Sequence, residues 1–314
     1  MSNCQIIYVN SGRLLEMRTV TILISTFNGE QYLEEQLNSL LKQKNVDVKI
    51  QVRDDGSTDR TQEILERYGK TGKLEWYSGK NIGPARSYMK LIYDVAESEY
   101  YAFCDQDDVW LEDKLERAMK KLSVYPENIP ALYYGLPQLV DEELRKIETP
   151  KSSKDRMLDF NSALIESNAT GCTMVFNASL LTHLKKGIPD YIAMHDRWTH
   201  KVCIAVKGNL YFDEEVPLLY RQHSKNVVGI SSSYMKKIKK KLFDSKESRS
   251  RTIKSLLKIY REEMSPEEIR LATLVANYRN NGICKLKLLL CRKVKCNYFL
   301  RNVVFRVMVV LGTF

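Results

Sequence analysis

Residues 100–108 read Tyr100-Tyr101-Ala102-Phe103-Cys104-Asp105-Gln106-Asp107-Asp108. Five uncharged, mostly aromatic residues run directly into a turn that carries three carboxylates. A short apolar run bounded by turn residues reads as a buried strand, and here the charge sits at its C-terminal end. Two earlier stretches have the same form. Val20-Thr21-Ile22-Leu23-Ile24 runs into Ser25-Thr26-Phe27-Asn28-Gly29, and Val46, Val48, Ile50 and Val52 alternate up to Asp54-Asp55-Gly56-Ser57.

Helical spacing fills the intervals. Leu33, Leu37, Leu40 and Leu41 repeat after the first run, and Ile64, Leu65 and Tyr68 after the second, with Ser57 or Thr58 as the expected cap. Leu74-Glu75-Trp76-Tyr77 forms a further strand, and Gly83 opens a helix carrying Ala85, Met89, Ile92, Tyr93 and Ala96. Leu111, Leu115, Met119 and Leu122 mark the helix after the acidic turn. Four successive strand–helix units predict an α/β fold with a parallel sheet covered by helices on both faces. The three polar clusters then share one rim, at the carboxyl ends of strands, where such sheets bind ligands. Beyond residue 130 the pattern loosens. It predicts short strands at 131–135, 172–176 and 209–212, a helix near 191–206, and a polar loop over 141–160.

Composition narrows the class. The 314 residues are 44% hydrophobic and 28% charged, with 14 Gly and 8 Pro, which excludes a disordered or collagen-like chain. No run of about 18 uncharged apolar residues is present, which argues against a polytopic membrane protein. The net charge of +10 is uneven. Residues 1–230 contain 29 Lys+Arg and 33 Asp+Glu (net −4), whereas 231–314 contain 20 and 6 (net +14). The chain therefore divides into an N-terminal extension (1–17), an α/β body (18–230) and a basic helical region (231–314). Residues 1–16 lack the pattern of a signal peptide and are expected to be an irregular extension or the product of an upstream start codon. The 7 cysteines form no CxxC pair and indicate a reducing compartment.

The acidic turn carries the first chemistry. Carboxylates two residues apart at a strand end can reach one hard cation, Mg²⁺ or Mn²⁺, which takes a few carboxylates and fills its other positions with water and substrate phosphates. Such a cation neutralises a departing diphosphate. The same residues also fit a solvated turn that caps the next helix. At Asp54-Asp55 the alternatives are a turn and a carboxylate that accepts from a base or ribose. Arg86, in Asn81-Ile82-Gly83-Pro84-Ala85-Arg86, lies in the first turn of a helix on that rim, where a guanidinium can hold phosphate. Neither GxGxxG nor a P-loop follows the first strand, which argues against ordinary dinucleotide and NTPase folds and against nucleotidyltransferases.

Taken in order, ISTFN (24–28), RDDGSTD (53–59), NIGPAR (81–86) and CDQDD (104–108) resemble the family 2 glycosyltransferases of the GT-A fold. DQDDVW (105–110) and YRQHSKNVVG (220–229) are similar to the bacterial rhamnosyltransferase-type members that build capsule or lipopolysaccharide chains. The resemblance covers about residues 18–230. It implies that Ser25 and Phe27 flank the nucleotide base, that Asp55 reads it, and that Arg86 lies near the diphosphate. Asp105 and Asp107 match the DxD motif, with Asp107 as direct metal ligand, Asp105 near the ribose or a metal water, and Asp108 assisting. Phe27 replaces the commoner Tyr, so stacking survives and a hydroxyl is lost. Met194-His195-Asp196-Arg197-Trp198 resembles the acidic motif at the acceptor pocket. This makes Asp196 the candidate general base and His195 a neighbour that shapes the site, with a helix cap as the alternative for Asp196. Arg221 and His223 are expected at the diphosphate or metal, and Lys225 on the same flap. The resemblance implies an inverting transfer from a nucleotide-sugar donor, dTDP-rhamnose or a UDP-hexose, to a lipid-linked saccharide. A nucleotide-sugar-binding subunit without transfer activity would share the donor-side residues but need no base.

The basic region interleaves charge with apolar residues at 235–243 and 285–293, and 303–311 is apolar apart from Arg306. Such stretches suit an amphipathic helix on an anionic bilayer. The alternatives are a solvated helical appendage or a homodimer contact. The acidic body carries no nucleic-acid motif, so nucleic acid is not expected as a partner. The whole reads as a cytoplasmic enzyme, peripheral at the inner face of the membrane.

Overall fold

The computed structural model describes residues 6–7, 15–148, 158–167, 169–223 and 248–314. Two short strands, β1 (Ile6–Ile7) and β2 (Leu15–Glu16), pair as an antiparallel ribbon, so the extension has local order that its sequence does not announce. The expected strands then follow as β3 (Thr19–Thr26), β4 (Asp47–Asp54), β5 (Glu75–Ser78) and β6 (Tyr100–Cys104). They alternate with α1 (Leu33–Leu40), α2 (Thr61–Lys70) and α3 (Pro84–Asp94). Next come β7 (Val109–Trp110), α4 (Lys114–Leu122) and β8 (Ala131–Val140). The second half adds α5 (Phe160–Ala163), β9 (Val175–Asn177), α6 (Ala178–Leu184), α7 (His195–Ala205) and β10 (Asn209–Arg221).

The main sheet runs β5-β4-β3-β6-β9-β8-β10-β7. β3 pairs in parallel with β4 on one side and β6 on the other. The chain order reverses at β3, and the crevice beside it is the switch point where ligands of such sheets bind. β9 is antiparallel to both β6 and β8, and β7 is antiparallel to β10, so the sheet is mixed but mostly parallel.

Side chains that alternate along buried strands divide two cores. Val20, Ile22 and Ile24 of β3 pack beneath Leu33, Leu37 and Leu40 of α1 and Leu115 of α4. Leu23, Tyr101 and Phe103 point the other way, into a second core with Tyr88 of α3 and Trp198 of α7. That second core continues into the last quarter of the chain. Ile253, Leu256 and Tyr260 come from α8 (Ser248–Tyr260), Leu271 and Val275 from α9 (Pro266–Asn277), Leu288 from α10 (Gly282–Leu290), and Phe305 and Met308 from α11 (Phe299–Leu311). The helices are therefore not a solvated appendage. They close one face of the sheet layer, and Tyr260 fastens α8 to α6 by donating its hydroxyl to the His183 carbonyl at 2.8 Å. The basic stretch at 235–243 lies outside the described residues.

Several local expectations are corrected. α2 starts at Thr61, later than a cap at Ser57 or Thr58 requires. Asp59 accepts from the Thr61 amide at 3.0 Å instead, while Ser57 is taken up by Asp54. Strand 172–176 is replaced by a 3₁₀ turn at Gly171–Thr173, followed by the shorter β9. β10 runs for 13 residues rather than four, with register irregularities between Asp213 and Leu219. Gly135 of β8 faces that irregularity. A Cβ there would lie 1.9 Å from the Asp213 carbonyl oxygen, so no larger residue fits. The expected loop over 141–160 includes a bridge between Val140 and Lys146, and α5 begins at Phe160; residues 149–157 lie outside the described set.

Candidate functional site

Because β4, β3 and β6 are neighbours in parallel, their carboxyl ends bring Ser25–Asn28, Asp54–Ser57 and Asp105–Asp108 onto one rim, as the sequence predicts. One residue that the sequence reading passed over ties the rim together. Gln106 accepts from the Thr26 hydroxyl at 2.6 Å and the Phe27 amide at 2.9 Å, and donates to the Phe27 carbonyl at 3.3 Å. A Cβ on Gly29 would meet the same Gln106 Oε1 at 2.6 Å, so a larger residue there would displace the Gln106 amide from these bonds. Gln106 lies between the two DxD carboxylates, and its amide in an otherwise acidic turn was the available signal.

The donor-side residues are linked by a second network. The Asp55 carboxylate accepts from the amides of Ile82 at 2.9 Å and Gly83 at 2.8 Å, at the entrance to α3. It also pairs with the buried Arg53 guanidinium. Arg53 in turn donates to the Ser87 hydroxyl at 2.9 Å, and the Ser25 hydroxyl donates to Ser87. Ser25 and Asp55 are thus joined through Arg53 and Ser87, neither of which the sequence reading singled out. Asp54 is a structural carboxylate, accepting from Gln62 at 2.8 Å and Ser78 at 2.7 Å. Phe27 presents 44% of its surface at the rim. Arg86 is exposed in the first turn of α3 and has no partner among the described residues.

The acidic turn is electrostatically costly as it stands. Burial, followed by the Asp107 charge, pushes Asp105 up to about 7. Burial and its two acidic neighbours raise Asp108 well above the carboxylate range. Like charges crowded in a desolvated place resist joint ionisation. Asp108 Oδ2 is buried without a hydrogen-bond partner, and one oxygen each from Asp105 and Asp108 lies within 4.8 Å of Cys172 Sγ. Hard oxygen donors and an orphaned carboxylate oxygen fit a divalent Mg²⁺ or Mn²⁺. Cys172 is a poor ligand for such ions, because burial holds its thiol protonated and sulfur prefers softer metals.

His223 closes the turn from above. Its Nε2 lies 2.7 Å from Asp107 Oδ2, and its ring sits against Tyr32 at 5.1 Å. Arg221 differs from the expectation of a phosphate ligand. Its buried guanidinium donates to the Asp107 carbonyl at 2.9 Å and the Glu142 carbonyl, pairs with Glu35, and lies 4.5 Å above the Tyr32 ring. Arg221 therefore fixes the backbone of the acidic turn rather than reaching into the crevice. Lys225 and Asn226 lie outside the described residues. Trp110, two residues after the turn, is buried, pairs with Leu218 of β10, and carries Lys114 Nζ 3.3 Å over its ring.

Asp196 occupies the first turn of α7, after an N-cap at Met194. Burial raises its pKa, opposed by the Arg197 charge and by the backbone N–H groups of Arg197 and Gly171. Its charge reaches Asp105 across the crevice and contributes to raising that group. Tyr88, which stacks on the neighbouring His195 and bonds Asp105, sets the start of α7 beside the acidic turn over a separation of 91 residues. The alternative of a helix cap is not met, since the N-cap is Met194 and Asp196 accepts from the adjacent Arg197 amide inside the first turn. His195 is buried and stacks on Tyr88 at 3.7 Å, and burial lowers it to about 3, so it is neutral at physiological pH. It packs the crevice floor and is no base there. Tyr88 links the two halves by donating to the Cys104 carbonyl at 2.6 Å and to Asp105 Oδ1 at 3.2 Å.

Known proteins are similar to this chain in sequence and in fold. The chain is 32% identical over 239 residues to the dTDP-rhamnosyl transferase RfbG of Shigella flexneri, covering 69% of this chain and 77% of that protein. It is 28% identical over 188 residues to the putative teichuronic acid biosynthesis glycosyltransferase TuaG of Bacillus subtilis, covering 55% and 74%. Among solved structures, S. aureus TarS in complex with UDP-GlcNAc superposes with a TM-score of 0.56 at 19% identity, over 86% of this chain and 76% of that one. The mannosyltransferase PcManGT of Pyrobaculum calidifontis, in complex with GDP-Man and Mn²⁺, gives 0.52 at 16% identity over 94% and 86%. These two likenesses concern the fold. Residues 21–184 match the family described as glycosyl transferase family 2, and with the rim, the acidic turn and the relatives in agreement, the chain belongs to that family.

Proposed function

We propose that the protein is an inverting, divalent-metal-dependent glycosyltransferase that moves a sugar from a nucleotide-diphosphate donor to a hydroxyl of a lipid-linked saccharide in polysaccharide synthesis. The observation that carries this reading is that Tyr88, stacked on His195 and bonded to Asp105, joins the start of the Asp196 helix to the acidic turn at the switch point of the sheet. Ser25, Phe27 and Asp55 would hold the nucleotide, with Phe27 offering its open face to the base. Arg86, exposed at the start of α3, would meet the diphosphate. Asp105, Asp107 and Asp108 would hold Mg²⁺ or Mn²⁺, which supplies positive charge against the leaving diphosphate. Asp196 takes the proton of the acceptor hydroxyl as its oxygen bonds to the anomeric carbon. The bond from that carbon to the diphosphate oxygen breaks with its electron pair, which inverts the configuration. An acceptor carried on a lipid places the reaction at the inner face of the membrane.

The likeness to a dTDP-rhamnosyl transferase favours dTDP-rhamnose over UDP-glucose or UDP-galactose as donor. Ligands that bind only the folded state raise its stability by mass action. In Mn²⁺, dTDP-rhamnose should raise the thermal midpoint by about 5 °C or more, and further than either UDP-hexose. A UDP-hexose that stabilises the protein where dTDP-rhamnose does not would overturn the donor assignment.

A further inference from the structure

Helix α11 is apolar on two opposite faces. Phe305, Met308 and Val309 enter the core. On the other side, Leu300, Val303, Val307, Val310 and Leu311 follow helical spacing and are 65%, 44%, 47%, 55% and 63% exposed, and Phe299 at the helix start is 82% exposed. The charge in the middle of the helix does not relieve this. Arg306 turns towards α10 and donates to the carbonyls of Leu288, Leu289, Cys291 and Val294. α10 repeats the pattern: Leu288 is buried, while Ile283, Leu286 and Leu290, three and four residues apart, are 66%, 58% and 72% exposed. Contiguous apolar surface of this kind marks an interaction site in a soluble protein.

Charge identifies the partner. From Ile269 to Phe314 the sequence has nine Lys and Arg and no Asp or Glu. Lys285, Lys287, Arg292 and Lys295 have no carboxylate partner among the described residues. A second copy seated on this face would bring cation against cation. An anionic phospholipid surface complements both the apolar rows and the charges. No helix among the described residues is long and apolar enough to cross a membrane. The 13 residues of α11 extend about 20 Å, against a hydrocarbon core of roughly 30 Å.

We infer that α10 and α11 form an interfacial docking element that lays its apolar rows into an anionic bilayer. This deepens the reading of a lipid-borne acceptor and rests on it for its purpose. The element is also fastened to the acceptor side of the crevice. The Asn297 amide donates to the Glu166 carboxylate at 3.2 Å, and Arg301 pairs with that carboxylate at 3.6 Å. Lys201 of α7, the helix that carries Asp196, donates to the Glu166 carbonyl at 3.0 Å. Docking therefore holds the Asp196 helix in a fixed relation to the bilayer.

Co-sedimentation of the full chain with vesicles tests this. The protein should bind phosphatidylcholine vesicles containing phosphatidylglycerol and bind pure phosphatidylcholine far less. The combined Leu300→Ser, Val303→Ser and Val307→Ser variant alters exposed positions only. It should lose about tenfold or more in partitioning while still unfolding in one cooperative thermal transition like the wild type. Lys285→Gln, Lys287→Gln and Lys295→Gln together should lower binding and weaken its salt dependence. Equal binding to both vesicle types, or unchanged binding by the serine variant, would overturn the inference. So would light scattering that shows a wild-type dimer made monomeric by the serine changes, with vesicle binding intact. The assay contains no nucleotide sugar, so failure here leaves the transfer reading standing, and failure of transfer leaves docking standing.

Discussion

Asp107→Ala should abolish sugar transfer, lowering the turnover rate by about 10³-fold or more, a loss of roughly 4 kcal/mol in the transition state. The wild-type turn carries three carboxylates, one of which, Asp108, has a buried oxygen without a partner, and the proposed divalent cation would offset their crowded charge. Removing Asp107 would take away one carboxylate of the proposed metal site, and it removes the carboxylate to which His223 is bonded. The variant should nevertheless fold, because the Arg221 bond that fixes the turn goes to the Asp107 backbone carbonyl and survives the substitution. Loss of one carboxylate also relieves Asp105 and Asp108 of a like charge. Chelation should reproduce the loss in the wild-type protein, and added Mn²⁺ or Mg²⁺ should reverse it. Near-normal transfer by the variant, together with indifference to EDTA, would remove metal from the account.

Asp196→Asn should separate binding from chemistry. Asn keeps an oxygen that can accept from the Arg197 amide, so the start of α7 is preserved, but it cannot take a proton. Turnover should fall by about 10²–10⁴-fold, while the donor still shifts the thermal midpoint as in the wild type. The pH profile carries a second signature. Burial raises the folded pKa of Asp196, and the base works only when ionised. Wild-type turnover should therefore fall as pH drops through that raised value, putting the acid limb above the usual aspartate range, and the residual activity of the variant should lack this limb. Donor binding that collapses in the variant would show that Asp196 holds the donor side together instead.

The first half of the fold is legible because its information is local. Ile22, Leu23 and Ile24 run uninterrupted into a polar turn, and Tyr100–Cys104 does the same, so strand, end and rim follow from a few adjacent residues. The acidic turn and Asp54-Asp55 were visible as clusters of chemistry at such ends, whereas Asp196, in the first turn of α7, stood out only through the family resemblance. What the sequence hid depends on distant partners. Arg221 looks like a phosphate ligand until Glu35, Tyr32 and the Asp107 carbonyl are brought around it. Gln106 looks like a spacer between carboxylates until the Thr26 turn arrives beside it. Ser57 is a plausible cap, but Asp54 engages its hydroxyl and the helix starts later. The packing of the C-terminal helices, for which a solvated appendage was one alternative, was likewise hidden. Their basic composition is a surface property, whereas Ile253, Tyr260 and Phe305 fill the core beneath it.

The central claim is that one rim holds donor and metal while Asp196 delivers the acceptor oxygen. Nucleoside diphosphate release from dTDP-rhamnose in Mn²⁺, followed with and without a lipid-linked saccharide acceptor, tests it most directly. The account predicts slow release alone and release accelerated by acceptor in step with glycosylated product. Tight donor binding with no acceptor-dependent release and no product, across acceptors and nucleotide sugars, would contradict it and leave a protein that binds nucleotide sugars without transferring them.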